Sequence, residues 1–367
     1  MILTHLEIDG LRSLSGVTID PHPALNLIGG PNGAGKSSVL EAIHCLSTGH
    51  SFRSRKPREL VAHDREALTV TARLLDRDGE REHRIGLARQ RDGVLEMRLD
   101  YEPIDGVASA TRLLPVKALS PDSHALVQEG PDERRRFLDW GVFHVEPRFL
   151  DAWRRFRRSL SQRNQALRDQ RPVSEVSTWN EQLAEAGEAV DHYRRQYVEE
   201  LETALAARIA RLGNPFSLTL RYRGGWTDDS SLLESLVGNL DQHRRMRTTT
   251  EGPHRAELVM TTDRVPVRHV LSRGQQKMLV YLLHLAQLDL MLARRGEKAV
   301  VLCDDLLSEL DGGNLADLVE QLLEVAGQTF VSGVSLAPLA DREHRAFHVE
   351  QGIVTEEAGP AAVVSEI

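Results

Sequence analysis

Gly30-Pro31-Asn32-Gly33-Ala34-Gly35-Lys36-Ser37 is the most informative octapeptide in this chain of 367 residues. It matches G-x-x-x-x-G-K-[ST], and both flanks supply the context that the motif needs. Ahead of it, Ala24-Leu25-Asn26-Leu27-Ile28 is a short apolar run closing on glycine; behind it, Ser37 to Ser47 carries Val39, Ile43 and Leu46 at helical spacing. The predicted order is strand, loop, helix. Glycines in such a loop let successive backbone N–H groups turn inward around phosphate oxygens, and the helix N terminus adds its positive dipole. Lys36 then reaches the terminal phosphates and Ser37 a Mg²⁺ ion. Gly30, Pro31, Asn32, Gly33, Ala34, Gly35, Lys36, Ser37 and Ser38 are therefore the expected ATP-binding set.

The length exceeds one ordinary domain, which predicts two lobes, and 41% hydrophobic with 27% charged residues is the composition of a folded soluble chain. A net charge of -8 confines any nucleic-acid contact to a local basic face. Cys45 and Cys303 cannot build a disulfide framework or a four-cysteine zinc site, and none of the 15 histidines sits in an H-E-x-x-H pattern, so Mg²⁺ is the one metal expected. The chain enters strand-like sequence at Ile2 without a basic segment followed by a long apolar one. The most apolar helix, Met278 to Leu292, is interrupted by His284, Gln287 and Asp289, which predicts a core helix and no membrane span. A cytoplasmic location without membrane contact is the expectation.

Along the chain, Leu3 to Ile8 alternates, Gly10 turns into a strand around Val17-Thr18-Ile19, and Ala67 to Leu99 reads as an antiparallel meander with turns at Asp76-Gly79 and Arg91-Gly93. Past the phosphate-loop helix, Arg53, Arg55, Lys56 and Arg58 form a basic run that is either a solvated face or a nucleic-acid contact. Character changes near Leu119. Gly130-Pro131-Asp132-Glu133 opens a helix carrying Arg134, Arg135 and Arg136, and Pro147 to Leu212 is helical apart from a break at Arg171-Pro172. Between Arg148 and Arg171 stand eight arginines against two acids. Two readings stay open for them: one DNA-facing side of the lobe, or surface charge whose stems cover apolar residues. Phe216 to Arg223 reads as a strand and Glu257 to Val270 as strand pairs.

Two further stretches bear on the chemistry. Ala299-Val300-Val301-Leu302-Cys303 is a buried-strand run ending in Asp304 and Asp305; Asp304 would complete the Mg²⁺ shell, while Asp305 could polarise an attacking water. Leu271-Ser272-Arg273-Gly274-Gln275 leads into the apolar helix and offers a second anion site at a helix N terminus. Lys36, Asp304 and Asp305 are the expected catalytic residues.

Ser272-Arg273-Gly274-Gln275-Gln276 resembles the signature motif of ABC-type ATPases, and Ser308-Glu309-Leu310-Asp311 resembles their D-loop, with Asp311 its acid. The resemblance implies a P-loop α/β head and an ATP-dependent head-to-head dimer, in which Ser272, Arg273, Gly274 and Gln275 close in trans on nucleotide. The interval of 236 residues from Lys36 to Ser272 exceeds that of a transporter ATPase subunit and resembles the SMC-like repair branch with a compact arm. The implied layout is a head over 1–118 and 251–367 with an inserted, mainly helical arm lobe over 119–250.

Within that branch, Phe52-Arg53, Gly130-Pro131 with Arg134 to Trp140, Gly252-Pro253-His254-Arg255, the signature and the Asp304-Asp305 pair resemble the RecF family of bacterial DNA replication and repair proteins. The resemblance implies ATP-dependent binding of DNA at gaps and junctions of duplex with single strand, cooperation with RecO and RecR in loading RecA, and a slow ATPase used as a switch. Arg53, Arg55, Lys56, Arg134 and Arg135 become the expected DNA contacts. The sequence departs from the pattern at Ala256-Glu257, at Lys117 near the place of the ABC Q-loop glutamine, and at Ser332 where a switch histidine is usual. Asp305 stands for the usual glutamate, one methylene shorter. Alternatives are a transporter ATPase subunit, opposed by the insert length, and an SMC-like scaffold with a degenerate site, opposed by intact Lys36, Ser37, Asp304 and Asp305.

Overall fold

The computed structural model describes residues 1–54, 56–76, 78–104, 106–212, 216–305 and 312–357. The chain forms two compact units, one of Met1–Ser123 with Gly296–Ile367 and one of His124–Arg295. The first unit begins with β1 (Ile2–Asp9), β2 (Val17–Ile19) and β3 (Leu25–Gly29), then α1 (Lys36–Thr48), β4 (Ala67–Leu75), β5 (Glu82–Gln90), β6 (Leu95–Leu99), β7 (Glu102–Pro103), α2 (Val107–Leu113) and β8 (Val116–Leu119). The predicted meander is present, as β4, β5 and β6 pair antiparallel. Its turns use the predicted residues: Glu80 N–H donates to Asp76 Oδ1 at 2.8 Å, and Gly93 supplies a φ of +103°.

The second unit holds α3 (Ala125–Gln128), α4 (Pro131–Val145), α5 (Phe149–Arg168), α6 (Val173–Ser177), α7 (Asn180–Ile209), β9 (Thr219–Arg223), α8 (Leu232–Gly238), α9 (Leu240–Met246), β10 (Glu257–Thr262), β11 (Val265–Pro266), α10 (Val267–Val270) and α11 (Arg273–Arg295). The helical break falls at Arg171-Pro172 as expected, with Gln170 left-handed at φ +54° before it. Val267–Val270 is helical where strand was expected, because the hairpin closes after the two-residue β11. The boundaries also differ from 118/119 and 250/251: residues 251–295 group with the insert, since α11 packs its apolar length against α7 and α4. Arg163 is fully buried in this unit. Its guanidinium donates to Asn180 Oδ1 at 2.8 Å and Thr249 Oγ1 at 2.7 Å, and lies 3.1 Å from His243 Nδ1. One member of the arginine series is therefore a core residue.

The first unit resumes with β12 (Val300–Cys303), α12 (Gly312–Val325), β13 (Gln328–Ser332), β14 (Arg345–Glu350) and β15 (Ile353–Glu357). Its two sheets run β2-β1-β4-β5-β6-β7 and β15-β14-β3-β13-β12-β8. In the second sheet β14, β3, β13, β12 and β8 are parallel. β12 and β13 are buried throughout, which explains their unbroken apolar character. Leu40, Ile43 and Leu46 of α1 join strand residues such as Leu6, Val70, Leu302 and Phe330 in one core, fixing α1 and the loop ahead of it.

Candidate nucleotide site

The geometry of the site follows from sheet register. β3, β13 and β12 lie side by side and parallel, with Ser332 opposite Ile28 and Cys303 opposite Val331, so the phosphate loop, Ser332 and the Asp304-Asp305 pair emerge together at the carboxyl edge. The loop needs its glycines. Gly30 has φ +136°, and a Cβ there would stand 2.2 Å from the carbonyl oxygen of Val349; Gly35 has φ +115° at the N-cap of α1.

Lys36 is buried, and its ammonium donates to the carbonyls of Gly30 at 2.8 Å and Pro31 at 2.9 Å. Ser37 donates its hydroxyl to Asp304 Oδ1 at 2.7 Å, and Ser332 donates to the same oxygen at 2.7 Å. Ser332 in turn accepts the Asp305 N–H at 3.2 Å. Two hydroxyls thus hold one carboxylate, and one of them also ties down the next residue. Asp305 is left-handed at φ +52°, a turn that follows β12 directly. Burial, reinforced by the neighbouring Asp304 charge, pushes the Cys303 thiol up, keeping it inert beneath the site.

These residues fit a Mg²⁺-bound triphosphate. The N terminus of α1 has no side-chain cap, which leaves backbone donors for an anion. Ser37 and Asp304 are hard oxygen ligands of the kind Mg²⁺ takes together with phosphate and water. Among the described residues no group of three or more His, Cys, Asp or Glu could hold a metal without such outside ligands.

Sequence reasoning misses Glu41, although a carboxylate amid Leu40, Ala42 and Ile43 on an apolar helix face demands buried partners. It is fully buried; Arg12 forks onto it, with Nη2 at 2.7 Å from Oε1, and Ser51 donates its hydroxyl to Oε1. Arg53 stands 3.8 Å from Oε2 with its side chain 42% exposed, and Lys56 pairs with Glu59 at 3.0 Å. Arg55 lies outside the described residues, as do Ser308, Glu309, Leu310 and Asp311 of the expected D-loop. Lys117 is buried inside β8 opposite Val301, two residues short of the strand end where Leu119 meets Cys303. Burial holds its ammonium well below the usual lysine range.

In the second unit, Ser272, Arg273, Gly274 and Gln275 are exposed where α11 begins. A capping box organises them: Ser272 N–H donates to Gln275 Oε1 at 2.9 Å and Ser272 Oγ accepts from Gln275 N–H at 3.3 Å. The hydroxyl accepts within the box, so its proton stays available to a phosphate oxygen. Gln276, buried below, donates to Leu271 O at 2.8 Å and accepts from Gln128 Nε2 at 3.1 Å.

Arg134 and Arg135 are not free for DNA. Arg134 forks onto Glu257 at 2.6 and 2.9 Å and donates to Glu129 O at 2.8 Å, while Arg135 donates to Ala256 O at 2.7 Å and pairs with Asp132. Both tie α4 to the start of β10, a structural use of the Ala256-Glu257 departure.

The profile of the RecF/RecN/SMC N-terminal domain matches residues 2–355. Over 355 residues the chain is 43% identical to the DNA replication and repair protein RecF of Thioalkalivibrio sulfidiphilus, covering 96% of this chain and 98% of that one. The chain belongs to the RecF family. It is also 40% identical to RecF of Azotobacter vinelandii, over 97% of this chain and 99% of that one. Among solved structures it matches the recombination mediator protein RecF with ATP, of the RecFOR pathway, with TM-score 0.88 and 26% identity over 97% and 98% of the two chains. An Smc head bound to the C-winged helix domain of ScpA matches with TM-score 0.60 at 16% identity, a likeness of fold alone. The ABC-type, SMC-like α/β head read from the motifs is therefore the fold of this chain, and the RecF resemblance is membership.

Proposed function

We propose that this chain is an ATP-dependent DNA-binding protein of replication and repair whose slow ATPase serves as a switch. The observation that carries the reading is the convergence of Ser37 and Ser332 on Asp304 Oδ1 beside an uncapped phosphate-loop helix. Lys36 exchanges its carbonyl partners for the terminal phosphates, and backbone amides of residues 33–37 cradle the rest. Ser37 and Asp304 would hold Mg²⁺, which would supply charge neutralisation on the phosphate oxygens. Asp305 orients and polarises the attacking water.

Ser272 of a second copy donates its hydroxyl to the nucleotide, and the capping box with Gln275 has already set its orientation. ATP therefore joins two copies, which together hold DNA at gaps or at duplex and single-strand junctions. Arg53 and Lys56 are exposed enough to take part in that contact. RecO and RecR are the partners, and RecA the protein loaded.

Sizing the protein with ATP, with ADP and without nucleotide, each with and without gapped DNA, tests the switch. The dimer forms with ATP alone and DNA binding follows it. Ser272→Arg binds ATP as a monomer and does not dimerise; a normal dimer of that variant would remove the signature helix from the contact. DNA binding equally tight without nucleotide would refute the switch.

A further inference from the structure

The arginines of α5, left between two readings by the sequence, are sorted by the structure. Arg163 is buried, Arg155 pairs with Glu185 of α7 at 3.4 Å, and Arg157 stacks over the Trp153 ring at 5.4 Å. The side of α5 opposite its buried residues carries Arg154, Arg158, Ser161, Gln165 and Arg168, all exposed, and its one acid is Asp151 at the N-terminal end. At 1.5 Å per residue, this face runs about 21 Å.

Arg154 and Arg158 are a like-charge pair at i,i+4, unfavourable for the helix by itself. Arg168 donates to Gln165, which in turn donates to Asp169 at 2.9 Å, so the acid at the C-terminal end is already engaged. Beyond the C-terminal end of α5 lies a cavity of about 420 Å³ lined by Gln170, Arg171, Arg244 and Arg245, with Asp241 its single acid and the buried Leu167 and Val176 as its apolar part; the face itself contributes no residue to it. Arg244 and Arg245 have no ion-pair or hydrogen-bond partner among the described residues. Their place in the last turn of α9 suits the helix dipole. That explanation does not extend to Arg154 and Arg158.

We infer that the solvent face of α5, with the arginine-lined cavity at its end, is a binding surface for the phosphodiester backbone of nucleic acid. It is linear, open and concentrated in positive charge on a chain whose net charge is -8, which suits a ladder of phosphates better than a single small anion. Guanidinium groups pair with phosphate oxygens through two N–H bonds, and Gln165 and Ser161 add neutral hydrogen bonds of the kind that position a backbone without reading bases. Its length corresponds to about six base pairs of duplex. The surface belongs to the second unit and the basic run at Arg53 and Lys56 to the first, and the inference rests on the DNA-binding reading above.

The test uses the full chain with ATP and a labelled duplex bearing a single-strand gap, titrated at several salt concentrations. The double variants Arg154→Gln with Arg158→Gln, and Arg244→Gln with Arg245→Gln, each reduce the slope of log affinity against log salt by about 0.9 for every phosphate they cease to neutralise, with roughly tenfold weaker binding. Lysine in place of both Arg154 and Arg158 restores most of the slope, and Arg155→Gln leaves it at the wild-type value. Melting curves confirm that each variant is folded. Wild-type slopes in both glutamine doubles overturn the inference and leave the DNA-binding reading intact. No ATP-dependent binding by the wild-type chain overturns both.

Discussion

Replacing Ser332 by alanine removes one hydroxyl from a fully enclosed position, and the hydrogen bonds say what goes with it. Ser332 donates to Asp304 Oδ1 at 2.7 Å and accepts from Asp305 N–H at 3.2 Å, so Ser332→Ala frees the carboxylate to rotate and leaves a backbone donor without its acceptor. A hydrogen bond to a charged group contributes about 1.5–3 kcal/mol. If all of it goes into holding Asp304 in its metal-binding orientation, turnover falls by about 10- to 100-fold. Ser37 still donates to the same oxygen, so the site survives in loosened form. Steady-state ATPase measured across a Mg²⁺ titration reads both effects: a lower maximum and a higher Mg²⁺ concentration at half-saturation. Wild-type turnover with an unchanged Mg²⁺ dependence would show that Ser332 only fills space, and the reasoning from the shared carboxylate would fail.

Asp305→Asn keeps ATP binding and ATP-dependent dimerisation but loses turnover, since asparagine tolerates the left-handed φ of +52° and cannot act as a base; unchanged turnover removes Asp305 from the mechanism. Arg163→Met takes the Arg163 donor from the buried Asn180 Oδ1 and one partner each from Thr249, which still donates to Asn164, and His243, which still pairs with Glu251, and lowers stability by about 1–3 kcal/mol in chemical denaturation. A loss typical of a surface site would contradict the network. Burial pushes His44 and His254 down to about 4 from the ordinary 6.5, so between those values the unfolded chain binds more protons than the folded one. Stability therefore falls as pH drops, by about 2 kcal/mol per histidine at pH 5. Glutamine at both positions flattens that part of the profile in melts between pH 7 and pH 5.

Local signals carried the phosphate loop, the meander turns and the acidic strand end, because each depends on residues adjacent in the chain. Asp76 and Gly93 act within their own turns, whereas the Val349 carbonyl that also keeps Gly30 a glycine comes from far along the chain and was not legible. The partnership of Ser37, Asp304 and Ser332 spans nearly the whole chain and depends on strand register, to which no short window has access. The arginines divided for a similar reason. Arg134, Arg135 and Arg163 find carboxylates, carbonyls or hydroxyls far along the sequence, whereas Arg154 and Arg158 find none among the described residues, and composition treats them alike. Residues 251–295 depart from the expected layout because α11 packs on α7 and α4 within the second unit, a long-range packing that no short stretch reveals.

β3 has β13 and β14 for neighbours, both supplied by sequence more than 300 residues downstream. A growing chain on the ribosome therefore displays the glycine turn long before either flanking strand exists, with two raw backbone edges that only late-synthesised segments can close. Premature termination ahead of Gln328 would remove both, so such a truncated product should be a client for chaperones and proteases and no partial enzyme.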